Sequence, residues 1–134
     1  MLMVDTLGAI RNSMIYYTLK KEMASMVHYF KDSPKRRVDE SLEITDLYIG
    51  EGKPLDCVIG DLDGFHGTFI NHTSDKNYLI LDGSGVVVID GKKYTVNVGD
   101  FIRVPKNVKH SIEGKCRFAL LCNPPYDFQT EDSE

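Results

Sequence analysis

Two histidines, a lysine and a tyrosine are placed where their side chains could act together. His72, Lys76 and Tyr78 lie close along one segment, and His110 follows a short apolar segment that ends at Pro105. Imidazoles bind transition metals or exchange protons near neutral pH, an ammonium group attracts anions, and a phenol donates or accepts a hydrogen bond. These residue types therefore suggest either a metal site or a pocket for a small organic molecule.

The spacing before His110 resembles a known motif. Gly99, Pro105 and His110 give the pattern G-x5-P-x4-H, which resembles the second motif of the cupin superfamily, a group of small β-barrels in which this histidine points inward. Proline suits the end of a strand because it lacks a backbone N–H. The resemblance covers roughly residues 40–125 and implies an all-β, cupin-type jelly-roll barrel.

The first cupin motif, G-x5-H-x-H-x3-E-x6-G, is matched only in part. Gly64, His72 and Gly83 are in register, whereas Ile70 replaces the first histidine and Lys76 replaces the glutamate. The fold part of the motif is thus present, and the metal-binding part is degenerate.

The resemblance implies a metal held by three histidines and a glutamate in metal-bearing relatives. Only His72 and His110 match those positions here, and a protonated Lys76 would repel a divalent cation. We therefore expect no cofactor, or at most a weak divalent metal bound by His72 and His110. A one-residue bulge that turned Asp75 or Asn77 inward would restore one ligand.

The same motifs predict a ligand pocket inside the barrel. Alternation along strands places His72, Lys76, Tyr78 and His110 on the inner face, with Ile70 as an apolar neighbour. The positive charge of Lys76 favours an anionic ligand, and protonation of either histidine would strengthen its binding as the pH falls. The catalytic residues, if a reaction occurs, are not identified by the sequence.

Short strands dominate the predicted secondary structure. After a helix over residues 5–26 and a charged loop over 31–41, apolar residues alternate from Leu42 to Tyr48, and the turn Asp90-Gly91 predicts a tight hairpin. The expected organisation is an N-terminal helical segment, a cupin barrel and a frayed acidic tail, over residues 1–30, 31–126 and 127–134. Further strands are predicted over 55–59, 65–72, 77–82, 85–90, 93–98, 101–104, 109–113 and 116–122.

Composition limits the possible partners and location. The net charge of −4 argues against a nucleic-acid partner, and no apolar segment is long enough to span a membrane. Cys57, Cys116 and Cys122 form no metal-binding pattern and leave an odd thiol, which is typical of a reduced cytoplasmic protein.

Three functions are compatible with these observations. The first is a metal-poor cupin that binds a small organic ligand, the second is a metal-dependent dioxygenase or isomerase with an irregular site on His72 and His110, and the third is a non-catalytic dimerisation scaffold. Homodimer formation is expected in each case, because cupin domains commonly pair and the apolar face of the predicted N-terminal helix needs a partner.

Overall fold

The computed structural model describes residues 26–50 and 52–134. The helix predicted over residues 5–26 lies, except for Met26, outside these ranges. In the described part, no helix is long and apolar enough to cross a bilayer. Short 3₁₀ turns occur at Phe30–Asp32 and Phe128–Thr130, and the strands are β1 (Lys35–Arg37), β2 (Leu42–Tyr48), β3 (Asp56–Asn71), β4 (Asp75–Ile89), β5 (Lys92–Asn97), β6 (Phe101–Val104), β7 (His110–Asn123) and β8 (Glu131–Ser133).

The strands pair antiparallel in one continuous sheet. Its order is β1-β2-β3-β7-β4-β5, with β6 paired to β4 and β8 paired to β3. The long strands β3, β7 and β4 form the centre, since β7 pairs with both neighbours along nearly its whole length. The predicted all-β architecture is confirmed, and several predicted short strands merge into these longer ones.

The predicted hairpin at Asp90-Gly91 joins β4 to β5. Both turn residues have positive φ, 51° and 82° respectively, and Ile89 pairs directly with Lys92. This is the conformation that a two-residue turn of this kind requires, and an Asp-Gly pair adopts it at low cost.

Inward-facing apolar side chains form the core of the barrel. Phe118 lies at its centre and packs across Gly60 on the neighbouring strand, where a Cβ atom would come within 2.3 Å of the ring. Cys116 and Cys122 are buried, as expected for small apolar side chains. The core also contains Leu42, Ile44, Val58, Leu62, Tyr78, Ile80, Val87, Val96, Ile102, Val104 and Ile112.

One extra residue in β3 reverses the face to which its side chains point. The register with β7 shifts between Phe65 and Thr68. Before the shift, Leu62 is an inward residue, whereas after it Phe69 faces Lys76 and Asn71 is 2% exposed. Odd-numbered positions therefore point inward at the end of β3, which is the effect of a β-bulge.

Two segments predicted to be irregular are paired in the structure. The charged loop over 31–41 contains β1, which pairs with β2. The tail over 127–134 was expected to be frayed, but its strand β8 pairs with the end of β3, with Asn71 opposite Glu131. The prediction of a frayed tail is wrong, because backbone pairing and a buried side chain hold the tail against the barrel.

Candidate ligand-binding site

A cavity of about 300 Å³ opens into the barrel between β2, β3 and β7. Its volume lies at the lower end of the range for small-molecule sites, about 300–1,000 Å³. Most of the wall is apolar, with a few polar groups at one side. The lining residues are Arg36, Val38, Leu42, Ile44, Ile49, Gly50, Asp56, Val58, Leu62, His66, Lys76, Tyr78, Ile112, Phe118, Leu120, Cys122, Tyr126 and Glu131.

A buried ion pair occupies the polar side of this cavity. Nζ of Lys76 lies 2.5 Å from Oε2 of Glu131, and the two side chains are only 8% and 9% exposed. Lys76 reaches this place from β4, as its inward position in the first motif predicts, and Glu131 reaches it from β8. The positive charge expected in the pocket is therefore matched by a carboxylate from the C-terminal tail.

Hydrogen bonds hold Glu131 in its ionised form. The phenol of Tyr126 donates to Oε1 at 2.6 Å, and the amide of Asn71 approaches Oε2 at 3.4 Å. Burial alone would raise the pKa of Glu131, but the charge of Lys76 and these hydrogen bonds outweigh it and lower the pKa below the ordinary value. The carboxyl group of Glu131 is therefore ionised at neutral pH.

Tyr78 and His110 form a second buried pair below the cavity. Their Oη and Nε2 atoms are 3.5 Å apart, and His110 is 4% exposed. Burial raises the pKa of Tyr78, and burial with the nearby charge of Lys76 lowers the pKa of His110 to about 4. His110 is therefore neutral near pH 6. Tyr78 lines the cavity, whereas His110 does not.

The structure does not bring His72 or Ile70 into the pocket. The side chain of His72 is 43% exposed, and its ring nitrogens lie 2.8 Å from oxygens of Asn107 and Asp132, which raise its pKa. Ile70 also follows the bulge and pairs with Asp132 of β8. The expected inward orientation of these two residues is wrong, because the bulge before Thr68 reverses the alternation on which it was based.

The residues at the motif positions do not fit a resident transition metal. Ile70 offers no lone pair, His72 points outward, and Lys76 brings a cation that is already paired with Glu131. His110 remains as an inward imidazole. Across residues 26–50 and 52–134, no group of three or more His, Cys, Asp and Glu side chains could hold a metal ion. The rescue by Asp75 is not seen either, since its carboxylate accepts the backbone N–H of Lys106.

Several cavity residues were not predicted from the sequence. Asp56, Tyr126 and Glu131 lie outside the two motifs, and Arg36 and His66 reach the cavity from β1 and from the bulged part of β3. Nζ of Lys76 lies 5.3 Å from the centre of the Tyr126 ring, so the segment after β7 is part of the wall. Gly67 inside a strand pattern was the available signal for the bulge. No local pattern marks the acidic tail as buried.

Comparison with known proteins agrees with the cupin-type fold. Residues 63–122 match the cupin domain family model. An uncharacterised protein of Methanocaldococcus jannaschii is 38% identical over 68 residues, which cover 48% of this chain and 53% of that protein. The match thus spans about half the length of this relative.

Solved structures with the same fold include enzymes and a protein of the RmlC-like group. The Streptomyces protein PAC13 with uridine, described as a nucleoside dehydratase, has a TM-score of 0.73 at 20% identity and covers 81% of this chain and 90% of its own. A predicted oxalate decarboxylase from Thermotoga maritima has a TM-score of 0.66 at 20% identity, covering 73% and 98% of the two chains.

An RmlC-like cupin from Shewanella frigidimarina gives a TM-score of 0.67 at 17% identity and covers 78% of this chain and 95% of its own. At these identities the likeness shows the fold alone. Together with the family match over residues 63–122 and the two motifs, it identifies the barrel as a jelly roll of the cupin type.

Proposed function

We propose that the barrel cavity binds a small organic molecule without a resident transition metal. The observation that carries this proposal is the buried pair of Lys76 and Glu131, which stands at the polar side of an otherwise apolar cavity. A concave apolar site with a few convergent polar groups is typical of small-molecule binding. The carboxylate of Glu131 also balances the charge of Lys76, so the polar side of the cavity needs no metal ion.

Nucleosides are the first compounds to test. A structural relative is described as a nucleoside dehydratase and is solved with uridine. That likeness extends to the fold alone, so the panel should also contain sugars, keto acids and amino acids. The keto acids test the anionic ligand that the charge of Lys76 suggested.

The proposal is tested by thermal-shift screening in the presence of the chelator EDTA. A compound at about 100 times its dissociation constant should stabilise the folded protein by about 2.7 kcal/mol. The variant Leu120→Phe fills the cavity, because Leu120 lines it, whereas Leu121→Phe places the same ring at the next position, which does not line the cavity. Binding should persist in Leu121→Phe and fall in Leu120→Phe.

Two results would contradict the proposal. One is that no compound of the panel stabilises the wild-type protein. The other is that stabilisation is equal in Leu120→Phe and Leu121→Phe, which would place binding outside the cavity. Stabilisation that disappears in EDTA and returns with added zinc, iron or manganese would instead favour the metal-dependent enzyme.

We also propose that the chain forms a homodimer through its outer sheet face. Leu79 of β4 and Phe101 of β6 are opposite each other in the register and are 38% and 63% exposed. Exposed apolar pairs of this kind favour association. Sedimentation at micromolar concentration should give twice the chain mass of 15.2 kDa, and Phe101→Lys should shift the protein towards monomer. A wild-type protein that sediments as a monomer would refute the proposal.

The cytoplasmic location remains part of the proposal. The thiols of Cys57, Cys116 and Cys122 are free in the structure, which agrees with a reducing compartment.

A further inference from the structure

Asp56, a residue of the cavity wall, carries an unsatisfied side-chain oxygen. The residue begins β3, lines the cavity and is 7% exposed. Its Oδ2 atom accepts the backbone N–H of Tyr126 at 2.8 Å. Its Oδ1 atom is buried and has no hydrogen-bond partner among the residues that the structure describes.

An unpaired buried carboxylate oxygen is costly. Leaving a buried acceptor unsatisfied costs about 1–3 kcal/mol, and more when the group is charged. Such a group in a native protein calls for an explanation, and a ligand that supplies the missing donor is one. Because Asp56 belongs to the cavity wall, a bound molecule lies next to its carboxyl group.

The cations around the cavity are already matched. Lys76 is paired with Glu131, and the guanidinium of Arg36 forms two hydrogen bonds to Asp46, at 2.9 and 3.1 Å. An anionic ligand would have to compete with these carboxylates and would also face Asp56. The open hydrogen-bonding position in the cavity is therefore an acceptor, which requires a donor from the ligand.

The nature of the donor follows from the same charges. An ammonium group on the ligand would share the cavity with Lys76 and Arg36 and would lose its hydration. A hydroxyl group donates one hydrogen bond without adding charge. We propose that the cavity recognises a small, neutral, hydroxyl-bearing molecule that donates a hydrogen bond to Oδ1 of Asp56. This inference rests on the proposed function and names the class of ligand for the same site.

Tyr126 connects this acceptor to the ion pair. Its backbone N–H donates to Asp56, and its phenol donates to Glu131. The acceptor and the ion pair are thus held by one residue, and a single small molecule could contact both.

The substitution Asp56→Asn tests the donor directly. The amide oxygen of asparagine must accept the N–H of Tyr126, which leaves the NH₂ group at the position of Oδ1 and replaces the open acceptor by a donor. Asp63→Asn is the matched control, because Asp63 is an exposed residue of the same strand and does not line the cavity.

The probes are ribose, glucose, myo-inositol and uridine as neutral compounds, ribose 5-phosphate and glucuronate as anions, and glucosamine as an amine. Calorimetric titration should show that at least one neutral compound binds with a dissociation constant of about 1 mM or lower. Its affinity should fall at least about tenfold in Asp56→Asn, since a hydrogen bond to a charged group contributes about 1.5–3 kcal/mol. Asp63→Asn should bind as the wild type does.

Equal affinity in Asp56→Asn and wild type would overturn the inference. Tighter binding of the anions or of glucosamine than of every neutral compound would overturn it too, and so would the absence of binding by all neutral compounds. If binding survives in Asp56→Asn but is lost in Leu120→Phe, the inference fails and the proposed function stands. If binding survives in both variants, the proposed function fails as well.

A second measurement covers the case in which Asp56→Asn does not fold. The ¹³C resonance of the Asp56 side-chain carboxyl in the wild-type protein should shift on addition of the neutral compound that binds. An unchanged resonance at saturating ligand would overturn the inference.

Discussion

Glu131→Gln should destabilise the protein strongly, although the residue lies in the acidic tail that the sequence predicts to be frayed. The substitution removes the negative charge from a pair whose side chains are 8% and 9% exposed, and it leaves the ammonium group of Lys76 in the barrel. Removing one partner of a buried ion pair costs about 3–5 kcal/mol, because the other charge remains buried without compensation. The single amide oxygen of glutamine can accept from Tyr126 or from Lys76 but not from both, so the loss includes one hydrogen bond as well as the charge.

The cost of leaving the charge of Lys76 unpaired can be separated from the general cost of a substitution. The double variant Lys76→Met, Glu131→Gln removes both charges, and it should be more stable than Glu131→Gln alone by about 1 kcal/mol or more. Asp132→Asn is the control in the same strand, since Asp132 pairs with His72 at the surface and its side chain is 75% exposed. A surface pair contributes about 0–1 kcal/mol, so this control should remain close to the wild type.

Urea unfolding followed by circular dichroism measures these differences. The midpoint should fall clearly in Glu131→Gln and recover partly in the double variant. A loss of less than about 1 kcal/mol in Glu131→Gln, similar to that in Asp132→Asn, would show that the tail does not place a charge inside the barrel.

Three further perturbations test other parts of the structure. Burial lowers the pKa of His110 to about 4 from its ordinary value of 6.5, so its neutral form contributes stability that is complete above pH 6.5 and is lost as the pH falls through about 4. His110→Gln should therefore reduce the pH dependence of the free energy of unfolding in urea by about 3 kcal/mol in this window. Identical curves for the variant and the wild type would contradict this expectation. Gly60→Ala should destabilise by about 1–3 kcal/mol, because the added Cβ atom would lie 2.3 Å from the ring of Phe118; an unchanged melting temperature would show that the ring is not held there. Ile80→Ala should cost about 2–5 kcal/mol, because Ile80 is 1% exposed in the core, whereas Leu81→Ala, at a position that is 41% exposed, should cost much less in the same calorimetric comparison.

The sequence predicts the fold through local signals that act independently of one another. The Asp90-Gly91 pair requires positive φ, and the alternation from Leu42 to Tyr48 requires one buried face, so both features can be recognised without the rest of the chain. The motif glycines, Pro105 and His110 then indicate the barrel type by resemblance to cupins. For these reasons the barrel and the hairpin are predicted correctly.

The site is predicted less well because it depends on register. Lys76 and Tyr78 point inward as predicted, since no shift precedes them in β4. The extra residue near Gly67 turns His72 outward, and nothing in simple alternation reveals where a bulge is placed. The partner of Lys76 comes from Glu131, more than fifty positions away, and an acidic tail without periodicity carries no signal of burial.

Elemental analysis of the protein, purified without chelator and without a nickel resin, tests the central claim most directly. The claim is that an ion pair and an organic ligand, and not a metal, occupy the polar side of this barrel. Because His110 is the imidazole of the motif positions that still points inward, the site falls short of the three or four protein ligands of a stable metal site. Less than about a tenth of an equivalent of zinc, iron, manganese or nickel should therefore remain after dialysis. A near-stoichiometric metal that survives dialysis and is lost in His110→Ala would contradict the claim.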